Sequence, residues 1–557
     1  MRDFFMGVGT GHSLMILCFV IGIGLLIGRL RIKGVRAGSI WVLFVGILFS
    51  ALGVHTDQLF LHFLKEFGLV IYVFSVGLQV GEGFQLSGKG YRLKSISVAV
   101  MQLVLLFVGV FVIGAITGED SASLTGVLTG SVNGVPGVGT AQQTWYDAAS
   151  GTFLSEVENP AASSRIGIAF ALAYPAGLIG LSLVLWAISK FMKVPANEQN
   201  QIVIPGGSNI TTLLLEISNP AIVGKHLSEV KDKLEGDFVV LNISRGDKIL
   251  MECEDPVLAK GDKVLVESDT DDTNTVIILF GTEVPIPDDC INVVSARRLS
   301  KQLAVTRSAI TGHSVQELGF LRKYGVTLSR VKRGSFQVLP NEGMYLQVGD
   351  KITVYGPVEN VERAAALVGN SAKELDWPYL VPIFLGMAVG LVLGAIPFKF
   401  PGMESALRLG ISGGVFIMAV LLGKFGPSLK ITTYTTPSAI LMIREMGLAL
   451  LLATIGLGCG SSIGDLVSDG GYMWPVYGLL LSVIPSAIVA LIACLCMKMS
   501  PSRIMGCIAA SSNSPFTINY LRRNFPSQNM ESSYQIAYPV SLFLQIVMVI
   551  ILIHIAI

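Results

Sequence analysis

The sequence predicts a multi-span α-helical membrane protein built as an inverted repeat. Each half holds five transmembrane helices and one re-entrant hairpin, and an α/β tandem domain lies between the halves. Three observations predict this. The 557-residue chain is 52% hydrophobic and only 14% charged, against about 25% charged in an average soluble domain. Its apolar segments fall into two blocks that repeat the same motifs in the same order. Between the blocks, from about Glu198 to Asn370, hydrophobicity collapses and β-type alternation takes over.

Apolar stretches of the length a bilayer requires, about 20 residues, cover 13–30, 38–54, 58–80, 95–117 and 166–189, then 378–396, 406–423, 436–458, 472–497 and 533–557. The domains are therefore a first membrane repeat over 1–195, soluble modules over 196–290 and 291–372, and a second membrane repeat over 373–557. Met1-Arg2-Asp3 carries one positive charge and no small-residue cleavage site follows, so 13–30 reads as a retained span. A net charge of +1 implies no polyanionic partner. Five of the seven cysteines lie in membrane segments, with no Cys-x-x-Cys among them, and read as small buried hydrophobes. No cofactor is expected.

The repeat is legible residue by residue. Lys65-Glu66-Phe67-Gly68-Leu69 with Gly77-Leu78 and Gly81 recurs as Arg444-Glu445-Met446-Gly447-Leu448 with Gly456-Leu457 and Gly460. Gly126, Ser131 and Asn133 answer Gly506, Ser511 and Asn513, and Ala173-Tyr174-Pro175 answers Ala537-Tyr538-Pro539. A duplicated hydrophobic unit, interrupted by polar and glycine-rich breaks at corresponding places, points to a secondary transporter and to its binding site.

Basic residues mark the cytoplasmic ends of spans. Arg29, Arg31, Lys33 and Arg36 follow the first span, Lys89, Arg92 and Lys94 the third, and Lys424 and Lys430 share a turn in the second half. The opposite loops carry Asp57, Glu119, Asp120, Asp465 and Asp469. Both termini then lie outside and the middle in the cytoplasm. That sidedness holds only if 122–145 and 501–523 do not cross. The first holds Gly126, Gly130, Gly134, Gly137, Gly139 and Pro136, and the second holds Ser511-Ser512-Asn513-Ser514-Pro515. Both read as re-entrant hairpins, since non-helical backbone at that depth must line a cavity or be buried in protein. Five spans per half make the two copies opposite in orientation.

The soluble middle is itself a tandem. Leu241-Asn242-Ile243-Ser244-Arg245-Gly246 pairs with Leu328-Ser329-Arg330-Val331-Lys332-Arg333-Gly334, and Gly261-Asp262-Lys263 with Gly349-Asp350-Lys351. Each copy reads as strand, short helix, strand, hairpin, strand. The copies resemble the C-terminal ligand-binding module of potassium-conductance regulators, the TrkA-C or RCK-C module. That resemblance implies a small metabolite or nucleotide as ligand, with a ligand-free dimerisation scaffold as the alternative.

With duplicated membrane halves flanking two such modules, the whole chain resembles the aspartate:alanine exchanger family of bacterial secondary transporters. The resemblance implies exchange of acidic amino acids or C4-dicarboxylates, such as aspartate or succinate, against a counter-substrate such as alanine. It also implies a homodimer in the inner membrane.

Candidate substrate-binding residues cluster at the hairpin tips. They are Ser131, Asn133, Pro136 and Thr140 in the first, and Ser511, Ser512, Asn513, Ser514, Pro515, Thr517 and Asn519 in the second. Glycine and proline break the helices there and free backbone N–H groups at the start of a half-helix, where a carboxylate is favoured. Small polar residues also let helices pack closely, which is the competing reading. Gln79, between Gly77 and Gly81, is a further binding candidate. Lys65, Glu66, Arg444 and Glu445 are ionisable residues within spans and candidates for gating or charge coupling, or for a structural pair between repeats. Arg165 can meet a substrate carboxylate or mark the membrane surface. The rival function is a cation:proton antiporter, against which stands the lack of adjacent intramembrane aspartates. Without a nucleophile–base constellation, an enzyme is not expected.

Overall fold

The computed structural model describes residues 9–32, 35–36, 38–83, 89–150, 160–192, 210–232, 238–246, 248–250, 255–269, 273–285, 298–333, 336–341, 343–369, 380–398, 407–426, 429, 437–468, 470–512, 514–525 and 527–556. Asn513, a binding candidate, lies outside the described residues.

The first membrane repeat runs α1 (Thr10–Gly28), α2 (Trp41–Ala51), α3 (Gln58–Gly83), α4 (Lys89–Thr117), α5 (Ser121–Ser131), α6 (Val135–Ser150) and α7 (Pro160–Phe191). α5 and α6 form a helix–break–helix unit. Asp120 starts it, capping α5 by accepting from the Ser123 N–H at 3.2 Å. Asn133 ends α5 in the left-handed region, at φ 53°, where Asn is tolerated because its short amide bonds locally. Its Nδ2 donates to the Tyr174 carbonyl at 3.0 Å.

In the middle, β1 (Ile210–Ile217), α8 (Leu227–Asp232), β2 (Phe238–Arg245), β3 (Lys248–Leu250), β4 (Lys263–Asp269), α9 (Thr273–Phe280) and β5 (Gly281–Glu283) make a five-stranded sheet in the order β3-β2-β4-β1-β5. The second module has β6 (Arg298–Ala304), α10 (Val315–Leu318), α11 (Phe320–Tyr324), β7 (Thr327–Arg333), β8 (Phe336–Val338), β9 (Lys351–Pro357) and α12 (Val358–Val368), with order β8-β7-β9-β6. Each module buries its own apolar cluster. The Gly-Asp turns do the same job in both: Asp262 accepts from Arg245 Nε at 2.8 Å, and Asp350 from Arg333 Nε at 2.7 Å. Asp262 thereby holds the Arg245 guanidinium above its ordinary pKa. Glu267 of the first module joins the second, accepting from Ser329 at 2.6 Å and from Arg330 at 2.6 Å.

The second repeat runs α13 (Leu380–Ala395), α14 (Gly410–Phe425), α15 (Pro437–Cys459), α16 (Ile463–Ser468), α17 (Trp474–Leu495), α18 (Pro501–Ser511), α19 (Pro515–Asn524) and α20 (Gln528–Ala556). Here α18 and α19 form the second helix–break–helix unit, with Pro515 in the first turn of α19 and Ser514 capping it. Seven helical segments among the described residues are long and apolar enough to span a bilayer. The ten apolar stretches seen in the sequence therefore differ in kind. α2, α13 and α14 are shorter, at 11, 16 and 16 residues, or about 16 to 24 Å at 1.5 Å per residue.

The repeats pack reciprocally. α3 of the first lies on α14 and α15 of the second, while α15 lies on α2 and α3. α7 packs on α17 as α20 packs on α4. The doubled Glu-x-Gly-Leu motif marks the α3–α15 crossing. A Cβ on Gly68 would stand 3.0 Å from the Gly447 carbonyl oxygen, and one on Gly447 would stand 2.8 Å from that of Gly68. Only glycine on both sides lets the two backbones come this close.

Candidate functional site

Two cavities of very different size lie at opposite ends of the α3–α15 crossing. The larger has a volume of about 380 Å³, within the usual size of a small-molecule site. Tyr72, Val76 and Gln79 of α3 form one wall, and Arg444, Glu445, Leu448 and Leu452 of α15 another. The third is α19, from its cap Ser514 through Phe516 and Asn519 to Arg522 in its last turn, with Tyr534 and Tyr538 of α20 beside it. Val135, at the start of α6, and Tyr174 of α7 complete it from the first repeat. The start of the second half of each broken helix, α6 at Val135 and α19 at its cap Ser514, therefore borders the chamber, where the positive end of the helix dipole favours an anion.

The charges of the chamber are unevenly engaged. Arg522 is held by Glu531 in a bidentate pair, with Nη2 to Oε2 at 3.0 Å. Among the described residues Arg444 makes only long hydrogen bonds, 3.5 Å to Gln79 Oε1 and 3.5 Å to Glu445 Oε1. Glu445 accepts from Ser39 at 2.9 Å. A guanidinium fork and a carboxylate thus face the same chamber side by side.

The smaller cavity, about 50 Å³, is lined by Lys65 and His62 of α3, Gln142 of α6, Ser163 and Ser164 of α7, and Thr454 and Cys459 of α15, among others. Leu69 and Leu451, both buried, separate it from the larger chamber along α3 and α15. α3 runs from the small cavity at Lys65 to the large one at Gln79, while α15 runs from the large one at Arg444 to the small one at Cys459. The two repeat-equivalent helices pass the cavities in opposite directions.

With this geometry, the profile of the aspartate:alanine exchanger family, described as a predicted permease membrane region, matches residues 16–190 and 382–554, which is both membrane repeats. The chain belongs to the aspartate:alanine exchanger family. A TrkA-C domain matches residues 303–369, the second soluble module. Full-length relatives are carried under the name uncharacterized transporter. One from Bacteroides fragilis is 31% identical over 97% of this chain and 95% of its own. One from Bacteroides thetaiotaomicron is 33% identical over 96% of each chain, and one from Porphyromonas gingivalis is 32% identical over 98% of this chain and 97% of its own. No solved structure matches. The family and the relatives' names make the chain a multi-span membrane transporter.

Of the residues singled out in this transporter's sequence, Gln79, Arg444, Glu445, Ser514 and Asn519 line the chamber. Ser131, Asn133, Pro136, Thr140, Ser511, Ser512 and Thr517 are buried just behind it. Ser131 and Ser511 turn their hydroxyls onto the carbonyls of Leu128 and Ile508, each at 2.7 Å. Thr140 donates to the Pro136 carbonyl at 2.7 Å and lies 2.8 Å from Ser412. Ser512 is 3.1 Å from Thr517 and 3.5 Å from Asn133 Oδ1, so the tips of the two broken helices touch. Pro515 supplies the first helical turn of α19. Lys65 belongs to the smaller cavity, and Glu66 pairs with His62 at 3.2 Å rather than with Lys65. Arg165 does not face a substrate space: it clips Asp120 at 3.0 Å, tying α7 to the start of α5. The tyrosines and Ser39 were not singled out. An aromatic residue in an apolar span reads as core, and the doubled Ala-Tyr-Pro was the one available signal.

Proposed function

We propose that the chain is a secondary active exchanger of small carboxylates, including amino acids, that offers its substrate the Arg444 chamber. The observation that carries this reading is the Arg444–Glu445 pair in a largely apolar chamber walled by both repeats. A planar guanidinium with only long contacts suits a bidentate carboxylate. The N-termini of α6 and α19 add partial positive charge. Glu445, 3.5 Å from Arg444, complements an ammonium group, so the pair suits an amino acid's two charges. The hydroxyls of Ser39, Ser514 and the tyrosines can complete the shell without introducing a further fixed charge.

The opposed directions of α3 and α15 support an inverted relation between the repeats. In that relation the two broken helices are re-entrant hairpins entering from opposite sides. By the distribution of arginine and lysine, the Arg444 end is cytoplasmic, and the larger chamber is then the inward-facing one. Exchange follows when the occupied carrier reorients and the empty carrier does not.

The test is counterflow in proteoliposomes preloaded with unlabelled aspartate. Uptake of labelled aspartate should require the internal substrate and should be competed by succinate or alanine. Arg444→Gln should lower it by at least about tenfold, the cost of removing a buried charged partner. Uptake independent of internal substrate would remove exchange. A proton flux that answers to sodium or potassium, without aspartate uptake, would hand the protein to cation antiport.

A further inference from the structure

The smaller cavity occupies the place that the repeat assigns to a second substrate position. Lys65 stands where Arg444 stands in the other copy of the motif, and Glu66 where Glu445 stands. Counting along the broken helices from Gly126 and Gly506, Gln142 takes the place of Arg522. The small cavity thus repeats the large one with a weaker set of donors: an ammonium for one guanidinium and an amide for the other. The rest of its wall is polar where the argument needs it. Ser163, Ser164 and Thr454 line it, Ser164 donates to the Gly458 carbonyl at 3.4 Å, and Gln142 Nε2 donates to the Ser163 carbonyl at 2.8 Å. Gln142 Oε1 is buried and makes no hydrogen bond to a nitrogen or oxygen of the described residues. The Cys459 thiol, a weak donor, pairs with the Gln142 side chain.

We infer that the Lys65 cavity is the carboxylate site of the opposite face, a second position that is contracted in this structure while the Arg444 chamber is open. This rests on the exchanger reading above. Lys65 meets the carboxylate as a point charge, and Gln142 turns its amide to it. Its Oε1, met by no nitrogen or oxygen donor of the described residues, also accepts from an ammonium, so an amino acid is held at both ends. Leu69 and Leu451 are the apolar barrier between the two positions, so a substrate contacts one cation or the other and never both. The unequal donor sets, an ammonium at one face and a guanidinium at the other, make the faces unequal in affinity.

The test uses the full-length protein in proteoliposomes, with the half-saturation concentration for radiolabelled L-aspartate measured separately at each face. Lys65→Gln is expected to raise it about tenfold or more at the outer face only, and Arg444→Gln likewise at the inner face only. Lys65→Arg should restore the outer value. An effect of Lys65→Gln on both faces alike, or on neither, overturns the inference. An Arg444→Gln variant without effect at either face instead overturns the chamber reading, whichever way Lys65 behaves. Should Lys65→Gln fail to fold, the unaltered chain decides, because Cys459 reports on the same cavity. External L-aspartate should slow its reaction with a membrane-impermeant maleimide, read by peptide mass spectrometry. A Cys459 that never reacts, or reacts at a rate aspartate does not change, overturns the inference too.

Discussion

Two arginine–aspartate pairs at equivalent places in the soluble tandem carry different stakes. Arg333 and Asp350 are both buried, with side chains 2% and 0% exposed, whereas Arg245 is 49% exposed beside a buried Asp262. Removing Asp350 strands a buried guanidinium, so Asp350→Ala should cost about 3–5 kcal/mol. Asp262→Ala leaves Arg245 free to turn to water and should cost clearly less. Thermal unfolding of the two variants checks the order, and equal losses would contradict it. In the membrane part, Asn133 holds a left-handed turn and donates to the Tyr174 carbonyl. Asn133→Gly keeps the backbone and loses only the amide. It should fold like the parent chain yet transport poorly, while Asn133→Ala adds about 1–2 kcal/mol of backbone strain. Normal transport by both would remove Asn133 from the mechanism. Arg444, Gln79, Ser514 and Asn519 were legible in the sequence because a charge or a polar cluster inside an apolar run is conspicuous. Tyr72, Tyr534 and Tyr538 were not, because their hydroxyls acquire meaning only from the arginine that another helix brings to them.

At the scale of elements, the glycine of the doubled motif has one job in both copies, to bring α3 against α15. Gly447→Ala places a Cβ 2.8 Å from both the Gly68 carbonyl and the Tyr72 nitrogen. These are backbone atoms that cannot step aside, so the helices must part. The expected loss is about 1–3 kcal/mol of stability, with reduced transport because Tyr72 lies in the chamber wall. A variant as stable as the parent chain would show that the crossing is looser than described. The helix breaks at 132–134 and 512–514 could be read from Gly134, Pro136, Ser514 and Pro515, whose backbone preferences do not depend on packing. The ends of the three short helices could not be read from hydropathy, which runs on past them. α2 is bounded by Gly38 and Gly53 in the left-handed region, at φ 84° and 83°, and α14 begins at Gly410, at φ 67°. α13 stops just short of Pro397.

At the scale of the whole molecule, one sequence duplication gives two cavities of about 380 and 50 Å³ at the ends of one helix crossing. The tandem modules, joined through Glu267, Ser329 and Arg330, form a separate unit with cores of their own. The duplication was plain in the sequence. The unequal size of the two cavities was not, because it depends on how the helices of both repeats pack around them. Everything functional in this account depends on the Arg444 chamber receiving a carboxylate. Calorimetric titration of L-aspartate into the purified protein and into Arg444→Gln tests this most directly, with thermal unfolding to establish that both are folded. The account predicts saturable binding to the parent chain and at least about tenfold weaker binding to the variant. Equal affinity of the two folded proteins would contradict it.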